Sequence, residues 1–287
     1  MGASVPAAFY LLPDKKKTTY KLVLENLKEY GVTNVPHKIF MDFEKAAETA
    51  FREFFKGQDL NISGCDAHLK RNLRKHLSPP HNTLLTEYNT DEGLQTWLRY
   101  VWALSLVPPK DIVNVYEKFL LPNMPNRRVA DGYDDEEENQ HFNQKLEKFA
   151  KYVEDTYVGK INTRTFNRSP PIFDLEMFSK YDNIVNMEDT TTNRSEGFNL
   201  QLKVSTPRNA TLWTLINQFR KEDALVGLKL KEAAVGIDHT HKKRKKEQDN
   251  KRQRLFELVC NYDKLSMANY MKYCVDFYNT DLNIELL

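Results

Sequence analysis

The chain has 287 residues, enough for one large core or two modest ones, and its 40% hydrophobic and 11% aromatic content marks it as folded. A formal net charge of +2 excludes a global field strong enough to hold nucleic acid, so any basic surface must be local. No signal peptide is visible and no apolar stretch approaches the about 18 residues of a membrane helix. The three cysteines Cys65, Cys260 and Cys274 cannot all pair, which fits a soluble protein of a reducing compartment.

In chain order, the apolar run from Val5 to Pro13 predicts a short buried strand stopped by proline. Thr18 or Thr19 caps a helix whose Tyr20, Val23, Leu24, Leu27 and Tyr30 fall at helical spacing, ended by Gly31. A strand follows over His37–Asp42, with Ile39, Phe40 and Met41 as its buried run. The next helix carries a stripe of Phe43, Ala46, Ala47, Ala50, Phe51, Phe54 and Phe55, ended by Gly57. Leu60 to Cys65 reads as another strand and Ala67 to His76 as a basic helix. Strand–helix–strand–helix–strand order implies parallel pairing. From about Leu77 to Asp189 the apolar spacing suggests several helices and few strands, interrupted by the acidic run Asp134–Glu138. The chain is helical again after Glu196 to about Leu230. A charged segment, His239 to Arg254, then leads to a helix near Leu255–Tyr262.

Four groups of residues could carry chemistry. Asp42 closes a strand, where open α/β sheets place their functional crevice, yet Asp also serves well as the N-cap of the helix that follows. Glu196 likewise reads as either a functional acid or the distal half of a capping box with Asn193. Cys65 and His68 stand three residues apart; a zinc site wants four ligands and no second pair matches them, so packing at a strand end and helix start competes with any ligand role. Two basic groups, Lys70, Arg71, Arg74 and Lys75 on one helix and Lys242, Lys243, Arg244, Lys245 and Lys246 near the C-terminus, are phosphate-binding candidates or solvated faces.

In this order the motifs resemble one family. Pro6-x-Ala8-Phe9-Tyr10-Leu11-Leu12-Pro13-x-Lys15, Ile39-Phe40-Met41-Asp42-Phe43-Glu44 and Gly64-Cys65-x-x-His68-Leu69 are similar to the middle of the Mutator-like element (MULE) transposase domain. Ala103 to Pro108, Tyr152 to Gly159 and Asn193-x-x-Glu196-Gly197-x-Asn199 continue the likeness, which spans roughly residues 5 to 230. The resemblance implies an α/β, ribonuclease-H-like sheet of the DDE transposase family, in which three acids hold divalent cations for DNA strand cleavage and transfer. Asp42 would be the second acid and Glu196 the third, both metal ligands for Mg²⁺ or Mn²⁺, with Cys65 and His68 as an accessory motif beside them. The first acid would lie on a strand ahead of Met1, since Asp14 follows the strand-ending Pro13; the sheet is expected to be N-terminally truncated and the catalytic set incomplete. The implied division is a core over 1–76, a helical insertion over 77–189, the third-acid helix over 190–230 and a basic helical region over 231–287. DNA at transposon ends would be the partner and the nucleus, or else the cytoplasm, the location. The competing expectation is a non-catalytic, domesticated remnant that binds DNA or protein.

Overall fold

The computed structural model describes residues 6–127, 136–162, 164–236 and 246–281. Helix α1 (Lys17–Glu29) buries Leu24 against α2 and ends where Gly31 takes a φ of +89°, a conformation open to glycine at no steric cost. Strand β1 (Lys38–Met41) leads through Asp42 and Phe43 into α2 (Lys45–Phe54), and β2 (Asn61–Gly64) pairs with β1 in parallel, Ile39 opposite Ile62 and Met41 opposite Gly64. Glu48 on α2 is fully buried; Lys45 at 2.6 Å and Arg52 at 2.7 Å supply the partners a buried carboxylate requires.

Helix α3 (Asp66–Leu77) buries Leu69, Leu73 and Leu77. These side chains join the sheet to the larger helical part, because they belong to the same apolar cluster as Trp97, Trp102 and Phe149. That part begins with α4 (Leu84–Tyr88) and α5 (Glu92–Ala103), then α6 (Ile112–Val115), which runs into a wider π-helical turn at Tyr116–Leu120. Helix α7 (Glu136–Val153) buries Phe142, Leu146, Phe149 and Val153 at helical spacing and continues into a second π-helical turn, Glu154–Val158. Buried polar tips find backbone partners: Trp97 Nε1 donates to Leu120 O at 2.9 Å and the Tyr116 hydroxyl to Ala150 O at 3.1 Å.

Two short helices, α8 (Leu175–Phe178) and α9 (Tyr181–Val185), return the chain to β2, where Ser63 Oγ donates to Asn183 Oδ1 at 3.3 Å. Helices α10 (Asn193–Ser205) and α11 (Leu212–Ala234) follow, then α12 (Lys246–Cys260) and α13 (Met267–Asp281). Helix α13 packs on α5, and Val259, Tyr270, Met271, Cys274 and Val275 enter the main core. No helix among the described residues is long and apolar enough to cross a membrane.

The protein is thus mostly helical with a small parallel sheet. Among the described residues that sheet consists of β1 and β2. The expected strand over Val5–Pro13 is not among its members. Residues 6–12 instead run without regular structure, Leu11 and Leu12 exposed, while Phe9 stacks on Phe219 at 4.6 Å and leans on Phe198 at 5.8 Å. A short apolar run satisfies a strand pattern and a strap pinned by one aromatic ring equally well, and only a free neighbouring edge would make it a strand. Among the described residues from 77 to 189, one isolated antiparallel bridge, Ile161 to Arg168, stands among the helices. Asp134 and Asp135 of the acidic run lie outside the described residues; Glu136 opens α7.

Candidate metal centre

Three chain segments meet at the end of the sheet. Asp42 directly follows β1. Cys65 directly follows β2 and precedes the first turn of α3, which carries His68. Glu196 lies in the first turn of α10. Backbone hydrogen bonds set their register: Cys65 N–H donates to Met41 O at 2.9 Å, and Asp66 N–H to Thr190 O at 2.9 Å. The first tie holds the ends of the two strands level. The second brings the segment before α10 against the start of α3, which is what carries Glu196 to this point.

Neither helix start puts its cap position at the residue the capping alternatives name. Helix α2 begins at Lys45 with Glu44 in the cap position, two residues after Asp42, so the Asp42 carboxylate is not spent on capping. Helix α10 begins at Asn193 with Thr192 as its cap residue, one position earlier than an Asn193 box would need. The Glu196 carboxylate lies 3.4 Å from the Thr192 hydroxyl and is otherwise directed at His68.

His68 is the hub. Its Nδ1 lies 3.0 Å from Asp42 Oδ1 and 3.3 Å from Glu196 Oε1. Neither approach has hydrogen-bond alignment, so this buried nitrogen has no hydrogen-bond partner although two carboxylate oxygens stand within reach. Cys65 is fully buried behind it, and its Sγ accepts from the Thr192 hydroxyl at 3.2 Å and from Thr192 N–H at 3.3 Å. One ligand atom each from Cys65, His68 and Glu196 lies within 4.8 Å of the other two, a grouping that could hold a metal ion. The Asp42 side chain, 53% exposed, marks the side open to solvent.

Two neighbours escaped sequence reasoning. Thr192 donates its N–H to Cys65 Sγ and has its hydroxyl within reach of both Cys65 Sγ and Glu196 Oε1; the only hint was a run of threonines ahead of a cap. Lys180 is buried, its Nζ donating to Met177 O at 2.9 Å and lying 5.5 Å from the centre of the Phe43 ring. Burial pulls its ammonium down to about 8, against the opposing pull of Asp66 and Cys65. One lysine among many in a charged sequence carries no mark of this.

The basic candidates divide. Lys70 pairs with Asp66 at 2.9 Å, whereas Arg71, Arg74 and Lys75 lie on the exposed face of α3. Lys242, Lys243, Arg244 and Lys245 lie outside the described residues, and Lys246 is known only as the first residue of α12. All three cysteines are free thiols, Cys65 and Cys274 buried and Cys260 exposed.

No family model, no curated protein and no solved structure gives a significant match to the chain.

Proposed function

We propose that this chain is the greater part of a MULE-type transposase domain, derived from an enzyme of divalent-metal-dependent DNA strand cleavage and transfer. One observation carries the reading: Asp42 and Glu196, far apart in sequence, both bring a carboxylate oxygen within 3.3 Å of the same nitrogen at the end of a parallel sheet. In this reading residues 1–76 and 190–230 belong to a ribonuclease-H-like core, 77–189 to its helical insertion and 231–287 to a basic C-terminal region.

The donor chemistry fits Mg²⁺ or Mn²⁺ in part. Asp42 and Glu196 offer the hard oxygens such ions require; the nitrogen of His68 and the sulfur of Cys65 do not. Bound there, a hard divalent cation would activate water or a 3′-hydroxyl and stabilise the leaving oxygen. The work left to the chain's own groups is positional. The two carboxylates hold the ion on the solvent side, and the exposed Arg71, Arg74 and Lys75 offer a track for the phosphate backbone in a nuclear protein acting on transposon ends. Two carboxylates beside a nitrogen and a sulfur make a poor donor set for Mg²⁺, and weak binding is expected. The second reading is a domesticated remnant that binds DNA without cutting it.

Incubating the purified chain with supercoiled plasmid and Mn²⁺, beside an Asp42→Ala control, separates these outcomes. The expected result is DNA binding that weakens steeply with added salt, and no nicking. Nicking that disappears in Asp42→Ala would show that two acids suffice. Failure to bind DNA even at low salt would overturn the nucleic-acid reading in both forms.

A further inference from the structure

We infer that Cys65, His68 and Glu196 form a mixed thiolate–imidazole–carboxylate site for a borderline transition-metal ion of the Zn²⁺ type, with Asp42 or a water on its open side. The inference goes beyond the transposase reading and does not rest on it; because Glu196 and Asp42 serve both, an ion of this type would displace the hard cation of that reading from the same carboxylates.

The ligand atoms are already gathered. A tetrahedral ion with N and O ligands at about 2.0–2.1 Å sets those ligands about 3.3 Å apart. His68 Nδ1 and Glu196 Oε1 are 3.3 Å apart, and Nδ1 and Asp42 Oδ1 3.0 Å. Sulfur bonds are longer, about 2.3 Å, which widens the edges that Cys65 would share. Cys65 Sγ, one ring nitrogen of His68 and a Glu196 carboxylate oxygen all lie within 4.8 Å of one another, so an inward movement closes the set. The resting arrangement is otherwise hard to account for. A buried ring nitrogen with no hydrogen bond, flanked by two carboxylate oxygens off the hydrogen-bond direction, has an unmet demand that a cation between the three groups would satisfy.

Cys65 decides which cation. Thiolate is a soft donor that selects Zn²⁺ and its like, imidazole suits the same ions, and Mg²⁺ demands near-octahedral oxygen. The two bonds from Thr192 to Sγ would serve as the outer contacts that orient a sulfur ligand once an ion is bound. Sequence spacing argues against zinc because Cys65-x-x-His68 has no matching second pair. The fold supplies one further ligand, Glu196 from α10, and sets Asp42, the residue after β1, beside the group. With three protein ligands and a side open at Asp42, the centre has the form of a zinc site that keeps one exchangeable position.

Titration of the metal-free, full-length chain with Co²⁺ tests this by absorption. The expected result is about one ion per chain, with a near-ultraviolet sulfur-to-cobalt charge-transfer band that Zn²⁺ abolishes by displacement and a large excess of Mg²⁺ leaves unchanged. Cys65→Ser removes the band and Cys260→Ser keeps it. Thr192→Val keeps the band but weakens binding by about ten- to hundredfold, the usual effect of losing an outer-shell partner. Should Cys65→Ser fail to fold, His68→Gln and the wild-type thermal midpoint decide: Zn²⁺ must raise the midpoint of the wild type and leave that of His68→Gln unchanged. A folded wild type without the band, or a band that survives in Cys65→Ser, overturns the site. Plasmid nicking and DNA binding play no part in these readouts, so failure of the transposase reading leaves them untouched.

Discussion

Lys180 is a single buried charge whose cost can be measured. Its ammonium titrates at about 8 in the fold against the ordinary 10.5, chiefly because burial penalises the charged form. Between these values the unfolded chain holds a proton that the native state has released, so stability rises with pH across that window. Below about pH 8 the fold carries the whole penalty, ~3 kcal/mol. Lys180→Met keeps the packing length and loses one bond to Met177 O. It is expected to stabilise the protein by about 2 kcal/mol near neutral pH, once the lost bond is set against the relieved penalty. Urea unfolding at neutral pH and near pH 10 checks this: the advantage should shrink at the higher pH.

Gly64 makes the opposite point. A Cβ there would fall 2.4 Å from Phe43 Cζ, and the Phe43 ring meets Tyr157 and Phe173 edge-on at 5.6 and 5.2 Å, which leaves it little room to yield. Gly64→Ala is expected to cost about 2 kcal/mol by overpacking, and pairing it with Phe43→Leu to recover part of that loss in a double-mutant cycle. Gly64 immediately precedes Cys65, so the same substitution should disturb the candidate metal centre. A glycine in a strand hints at close approach, but which ring approaches is invisible without the fold.

At the level of elements, α5 shows how a local signal and a distant partner combine. Asp91 accepts from Leu94 N–H at 2.8 Å as the N-cap and from Arg127 Nη2 at 2.7 Å. Burial pushes its carboxyl up, but the hydrogen bonds from Arg127 and Leu94 N–H outweigh that and hold it below the usual value. The stability this contributes is present above the unfolded value and is lost as pH falls through the folded one. Asp91→Ala should cost about 1–2 kcal/mol near neutral pH, and the deficit should narrow on acidification, as read from paired urea midpoints. The cap could be recognised from the sequence, since Asp91 precedes a run with apolar residues at Leu94, Trp97, Leu98 and Val101; Arg127 lies too far along the chain to be assigned to it.

For the molecule as a whole, the decisive contact is that of the last two helices with the middle of the chain. Sequence reading sets residues 231–287 apart as a basic region, yet Val259, Tyr270, Met271 and Cys274 are buried in the same cluster as Trp97 and Trp102. The Tyr270 hydroxyl donates to Leu106 O at 2.7 Å within that core. A chain ending before Lys246 would uncover the α5 face and lose these groups. It is expected to unfold at a markedly lower temperature, which calorimetry of the shortened and full chains would show directly; an unchanged transition would mean that α12 and α13 are only appended.

What the sequence determined by itself is whatever a period of 3.6 residues or a strand-end junction encodes locally. The faces of α1, α2, α5 and α7, the two strands around Ile39 and Ile62, and the placing of Cys65 and His68 at the start of α3 all follow from neighbours within a turn or two. The burial of Trp97, Trp102, Phe119 and Phe149 belongs to the same kind, because large apolar groups at helical spacing have one face to hide. Only the tertiary structure decided that residues 6–12 form no strand, that α13 lies on α5, and that Asp42 and Glu196 both lie beside His68. Each of those outcomes rests on closing a long loop between residues that carry no local sign of one another. Where a local pattern admits two outcomes, as strand or strap does for residues 6–12, the packing that closes those loops decides between them.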